Sequence, residues 1–157
     1  MTVLGTLCYV MREGKALLIR KERGFGVGKL NAPGGKLKEG ETPEEGVVRE
    51  VLEETGLQLK NVSSHGVLRF YFGQRKDPDW IVYIFSSRWF DGEVKDSDEG
   101  VLQWVDLKRP PYDEMWEDDR HWLPLLLENR SFSGDFYFDE SGEKLIDYQL
   151  KNPQSVE

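Results

Sequence analysis

A single cysteine, Cys8, stands among 157 residues, so no disulfide can form within the chain, and a reducing compartment suits it. Histidine is almost as scarce: His65 and His121 are the only two, and their separation fits no metal-ligand spacing. Basic residues are outnumbered, 21 Lys and Arg against 29 Asp and Glu, which leaves a formal charge of −8. That deficit argues against a nucleic-acid polymer or an anionic membrane surface as partner, since both demand a basic face. Long apolar runs are missing too. The opening stretch from Met1 to Val10 is apolar but lacks the basic leader of a signal peptide and the length of a membrane span. The expectation is a cytoplasmic protein, monomer or homodimer.

What is present reads as one globular domain over residues 1–157, with 151–157 expected as a mobile tail. Residues 2–10 and 15–20 are rich in β-branched and apolar side chains around the turn Arg12-Glu13-Gly14, and predict two strands. Residues 23–35 are too rich in glycine for a helix or a long strand, which suggests tight turns or close approach to something. A helix follows. Thr42 can cap it, Pro43 suits its first position, Glu45 completes a capping box and Gly56 offers a left-handed stop. Residues 67–72, 80–87 and 101–105 predict strands, 114–128 a second helix with Trp122, Leu125 and Leu126 toward the core, and 132–138 with 144–150 a hairpin. The pattern is α+β: mixed or antiparallel strands flanked by two helices.

The first helix carries the chemistry. At 3.6 residues per turn, Glu50, Glu53 and Glu54 stand at i, i+3 and i+4 and share one face. Val48, Leu52 and Thr55 fall opposite, with Val51 at the edge, and are expected to dock on the sheet. For the bare spacing of these glutamates, a solvated acidic face balanced by Arg49 and Lys36 is the simpler account. Carboxylates beside a glycine-rich turn are also what a hard divalent cation needs, with substrate phosphates completing its shell. A small phosphate substrate then escapes the charge objection, because metal supplies the positive charge.

The full run is Gly35-x5-Glu41-x7-Arg49-Glu50-Val51-x-Glu53-Glu54-x-Gly56-Leu57. It resembles the Nudix box, and every defined position matches. The resemblance implies an α/β/α sandwich around a mixed sheet and Mg²⁺-dependent hydrolysis of a nucleoside diphosphate linked to another group, with Mn²⁺ as a substitute. It implies Glu50 and Glu54 as principal metal ligands, with Glu53, Glu99 and the Gly34 carbonyl as further candidates. Arg49 would orient Glu41 and Glu50. The cation would neutralise phosphate oxygens and hold a water in line. The proton acceptor stays open among Glu53, Glu54 and Glu99.

Outside the box, Lys21-x-Arg23-Gly24-Phe25-Gly26-x-Gly28-x-x-Asn31, Ser97-Asp98-Glu99, Met115-Trp116-Glu117-Asp118-Asp119 and the stretches 121–127 and 145–150 resemble the MutT-homologue subfamily. That subfamily hydrolyses oxidised purine nucleoside triphosphates such as 8-oxo-dGTP to the monophosphate and pyrophosphate. The resemblance implies that Asn31, Asp118 and Asp119 bind the purine edge. It implies Trp116, Phe25, Phe70 and Phe72 as an apolar slot around the base, with Thr6 and Lys21 along the pocket. Adjacent carboxylates resist ionising together, so one acid of the pair can donate while the other accepts. The loop Asn31-Ala32-Pro33-Gly34-Gly35 and the segment 73–81 depart from the subfamily pattern, so ordinary dGTP stays beside the oxidised nucleotide. Alternatives are ADP-ribose, a dinucleoside polyphosphate or an RNA cap as substrate, and a non-catalytic nucleotide sensor. The glycine-rich 24–29 stretch is no P-loop, because Lys29 is followed by Leu30 rather than Ser or Thr.

Overall fold

The computed structural model describes residues 1–24 and 26–151. The order is β1 (Val3–Arg12), β2 (Lys15–Lys21), β3 (Leu30–Asn31), α1 (Pro43–Thr55), β4 (Gln58–Phe72) and β5 (Trp80–Asp91), then β6 (Gly100–Asp106), a 3-10 turn (Tyr112–Glu114), α2 (Asp119–Leu127), β7 (Phe132–Phe138) and β8 (Leu145–Lys151). The sheet runs β3-β2-β1-β5-β4-β7-β8, with β6 also paired to β2. β1 lies parallel to β5 and β4 parallel to β7, while the other pairs are antiparallel. The sheet is therefore mixed, as expected.

Alternation along β1 builds the layers. Tyr9 and Met11 join a core with Leu18, Ile84 and Phe136 that is covered by Trp122, Leu123 and Leu126 of α2. Cys8 and Val10 point the other way, into a core with Leu17, Phe85 and Leu59 that is covered by Val47 and Val51 of α1. Successive residues of a strand face opposite sides, so one strand serves two cores and a helix closes each face. The result is an α/β/α sandwich.

α1 begins and ends where its capping residues predict. Thr42 accepts the Glu45 amide, the Glu45 carboxylate accepts the Thr42 amide, and Gly56 turns left-handed at φ 83°. Its docking face is rotated from the expected one: Val51 and Thr55 are buried and Val48 packs against the core, but Leu52 does not dock. The buried residues are Gly46, Val47, Val51, Glu54 and Thr55, while Leu52 is 44% exposed. The helix lies on its 47/51/54/55 stripe, so Glu54 turns inward and Glu53 outward instead of sharing one solvent face. α2 is also shorter than expected. Residues 112–114 form the 3-10 turn and α2 starts only at Asp119, with Met115 at the end of the turn in extended backbone at φ −113° and ψ 175°. Strand β4 starts nine residues earlier than residue 67, at Gln58, with register shifts against β5. Lys151, expected in the tail, is the last residue of β8 and pairs with Ser133; residues 152–157 lie outside the described residues. Among the described residues, no helix is long and apolar enough to cross a membrane.

One irregularity positions the site. β1 and β2 pair only at Met11↔Ala16 and Arg12↔Lys15. Beyond that, the edge of β1 away from β5 is hydrogen bonded to the glycine-rich loop. The Thr6 amide donates to the Gly35 carbonyl, Cys8 to Pro33 and Leu37 to Leu4, each at 2.9 Å. The sheet is thus split beside β1, and the split opens a cavity reaching from one helix layer toward the other.

Candidate functional site

The cavity in this split has two chemically distinct ends and apolar walls. Thr6, Lys21, Asn31, Gly34, Glu54, Phe70, Phe72, Trp116, Asp118 and Asp119 all line it. Phe25 lies outside the described residues. Glu50, Glu53, Glu99 and Arg49 stand around one end rather than in the lining.

That end is built from α1 and the glycine loop. The Glu54 Oε1 accepts the Gly34 amide at 2.8 Å, which ties this carboxylate to the glycine loop. Burial pushes the Glu54 carboxyl up to about 7, and repulsion from Glu50 and Glu99 adds to it, while the Gly34 amide and Lys21 act the other way. Glu50 packs so closely on Gly35 that any β-carbon there would collide with its carboxylate. Arg49 holds the acids in place. Its Nε donates to Glu41 Oε2 at 2.6 Å, its Nη1 to Glu50 at 2.7 Å and Glu53 at 3.2 Å, and its Nη2 to the Lys36 carbonyl at 3.1 Å. The guanidinium hydrogen bond and the Lys38 amide hold the Glu41 carboxyl down at about 2. Glu53 is turned outward and is 54% exposed. Glu99 arrives from the loop before β6 and is bracketed by Lys21 and Arg23, each at 3.5 Å.

The donors at this end are oxygen atoms, the set a hard divalent cation prefers. As they stand, no three acidic, histidine or cysteine side chains among the described residues converge tightly enough to ligate an ion. Glu54 on the Gly34 amide and Glu50 packed on Gly35 nonetheless stand at adjacent positions of one loop, and repulsion from Glu50 and Glu99 adds to the burial that raises Glu54. Carboxylates so placed fit a metal by chemistry.

The other end is built from the start of α2. Asp118 and Asp119 are 3% and 2% exposed, which is rare for acids without a charged partner. Asp118 Oδ2 accepts the indole N–H of Trp122 at 2.7 Å. Asp119 Oδ2 is buried and accepts no hydrogen bond from the described residues, and the Tyr9 hydroxyl is likewise unmatched. Burial raises the Asp118 carboxyl to about 6, and burial with repulsion from Asp118 raises Asp119 well above the usual carboxylate range. Burial and mutual repulsion therefore disfavour ionising both acids together. Asn31 joins these acids in the lining, its Oδ1 accepting the Ala32 amide at 2.9 Å.

Aromatic rings connect the ends. Trp116 meets Phe138 edge-on at 5.9 Å, Phe70 stacks on Phe136 at 5.9 Å and Phe72 lies 5.8 Å from Phe138. Lys29 sits over the Trp116 ring at 5.3 Å, and Gly26 lets the loop close on that indole. Sequence reasoning missed several wall residues: Gly5, Leu7, Ile19, Trp80, Val82 and Phe138. Only the strand pairing reveals them. Trp80 lies opposite Phe70 and Val82 opposite Gly5. The histidines stand apart from this lining. His65 is buried and hydrogen bonded to the Arg130 carbonyl and Ser86 Oγ, at 3.0 and 2.7 Å.

A family model described as NUDIX domain matches residues 1–126. An oxidized purine nucleoside triphosphate hydrolase from Danio rerio is 40% identical over 152 residues, covering 96% of each chain. The protein of the same name from Mus musculus is 39% identical, covering 97% of this chain and 96% of its own. Among solved structures, a MutT protein from Bacillus halodurans superposes with a TM-score of 0.85 at 29% identity, covering 95% of this chain and 97% of that one.

Proposed function

The chain belongs to the NUDIX domain family, and from that premise we propose that it hydrolyses purine nucleoside triphosphates, 8-oxo-dGTP or dGTP foremost, to the monophosphate and pyrophosphate. One observation carries the choice of base: Asp119 Oδ2 is a buried acceptor without a hydrogen-bond donor among the described residues, lining an aromatic-walled cavity beside Asp118. Leaving such an atom unpaired costs about 1–3 kcal/mol or more, so a site keeps it for a ligand. A guanine-type base brings N–H donors on its pairing edge. The ionised acid accepts them, and the protonated partner donates to the base carbonyl. The names of the Danio rerio and Mus musculus relatives support the same substrate class.

Nudix hydrolases use a divalent metal, and Mg²⁺ is the ion we propose; Glu50 and Glu54 would hold it, with Glu53 and Glu99 nearby. When bound, the ion supplies charge neutralisation at the phosphate oxygens. The chain's residues do the rest. Asp118, Asp119 and Asn31 fix the base, the aromatic walls exclude water around it, and Lys21 lies along the path to the phosphates. Arg49 keeps the carboxylates aimed by three charge-assisted contacts. The enzyme is proposed to work in the cytoplasm on free nucleotides.

Purified protein given Mg²⁺ and a panel of 8-oxo-dGTP, dGTP, dATP, dCTP and ADP-ribose should form the nucleoside monophosphate fastest from the guanine nucleotides. Preference for ADP-ribose or dCTP would overturn the reading. Arg49→Lys should lower kcat by roughly 10–100-fold, the usual cost of losing a carboxylate-orienting neighbour, because an ammonium cannot reproduce the forked contacts. Its KM for dGTP should stay near that of the parent. A larger change in KM than in kcat would place Arg49 on the substrate instead.

A further inference from the structure

The roles assigned so far leave one wall of the cavity without one. Trp80 opens β5 and is only partly buried, with its ring in the cavity lining. Its indole lies on Gly5: a β-carbon at that glycine would stand 3.2 Å from Cζ3 and 3.3 Å from Cε3 of the ring. Carbon atoms pack comfortably at about 3.5–4.0 Å, so even one methyl group would push the ring. No left-handed backbone is recorded for Gly5. What the position requires of its side chain is space.

The indole also lies between the aromatic wall and the glycine loop. Its strand partner on one side is Phe70, from the aromatic wall. On the other side the Lys36 ammonium stands 5.9 Å from the ring centre, within cation–π range. Lys36 pairs with Gly5 across a backbone bridge, and its carbonyl accepts from Arg49. The ring is thus seated on one small residue and flanked by a loop tied to the carboxylate end.

We infer that Trp80 is a specificity-determining residue of this pocket, its indole packing against the nucleotide between base and phosphates, and that Gly5 is small because that ring occupies the space beside it. The inference rests on the nucleotide-hydrolase reading above. A wide, flat wall favours a planar bicyclic base, which fills the slot, over a smaller pyrimidine, which leaves the wall partly uncovered.

The test measures pyrophosphate release from 8-oxo-dGTP, dGTP and dCTP for the parent protein, Trp80→Ala, Trp80→Leu, Gly5→Ala and the Gly5→Ala/Trp80→Ala double variant. Trp80→Ala should raise KM for the guanine nucleotides about tenfold or more, the scale of a lost base-stacking contact. Its kcat should move less than roughly threefold, and the purine-to-pyrimidine ratio of kcat/KM should fall. Trp80→Leu, which keeps apolar bulk for folding, should shift KM in the same direction. Gly5→Ala should raise KM roughly threefold in the parent but not in the Trp80→Ala background, since coupled neighbours fail to add. Equal effects of Gly5→Ala in both backgrounds, or a folded Trp80→Ala with KM within about twofold of the parent, would overturn the inference. A parent that hydrolyses none of the three nucleotides defeats the functional reading itself. An active parent indifferent to Trp80 defeats this inference alone.

Discussion

Glu54→Gln should lower kcat for dGTP by about 10²–10⁴-fold, the range for removing a carboxylate that acts at the reacting centre. Of the three box glutamates expected near the phosphates, Glu54 alone lines the cavity. It is fixed there by the Gly34 amide and buried to 7% exposure by its place on the docking stripe of α1. Glutamine keeps the size and can still accept that amide, so the fold should survive. The Tm of the metal-free variant should equal or exceed that of the parent, because a buried carboxylate near Glu50 and Glu99 is replaced by a neutral group. Glu53→Gln, on an outward-turned side chain, should cost far less. Near-parental turnover in Glu54→Gln, or a larger loss in Glu53→Gln, would sink the proposed metal assignment.

Asp119→Asn should reshape base selection rather than phosphate chemistry. Asparagine cannot share a proton with Asp118, so the pair loses its matched donor and acceptor, and kcat/KM for guanine nucleotides should fall by roughly 100-fold, while dCTP changes little. This follows from sites that reject a ligand once a buried hydrogen bond goes unmade. The acid pair also makes a pH statement. Its folded-state carboxyls titrate above their unfolded values, Asp118 at about 6 against an ordinary 3.8. The folded protein therefore holds protons that the unfolded chain has already released. Stability contributed by the protonated acids is complete below about pH 3.8 and drains away as pH rises toward 6. Asp119→Asn removes part of this loss, so its Tm should exceed that of the parent by about 5 °C at pH 8 and by less at pH 4. A uniform loss of rate across all bases would refute the base-reading role, and a Tm gap unchanged between those pH values would refute the buried-acid account.

Legibility in the sequence followed the range of the forces involved. α1 was readable to its ends because its caps are local: Thr42, Glu45 and Gly56 settle its limits through bonds within a few residues. The face it docks on was not. Helical periodicity relates residues to one another but does not say which stripe meets the sheet, and the 47/51/54/55 stripe leaves Leu52 in solvent. β4 was underestimated because register shifts around Asn61 and Ser64 break its alternation, so residues 58–66 do not advertise a strand. The candidate site divides in the same way. The carboxylates, Asn31, Trp116 and the acid pair stand at motif positions, whereas Trp80 and Gly5 belong to the cavity only through pairing between strands distant in sequence.

The split beside β1 has a mechanical consequence. Lateral hydrogen bonds make a sheet stiff across its strands, and here that continuity passes from β1 to the loop carrying Gly34 and Gly35 rather than to β2. The acids of α2 and the carboxylates of α1 belong to opposite layers, and the cavity joins them through this gap. A nucleotide lying there would act as a crosspiece, tying together two layers that the backbone leaves unlaced at that point.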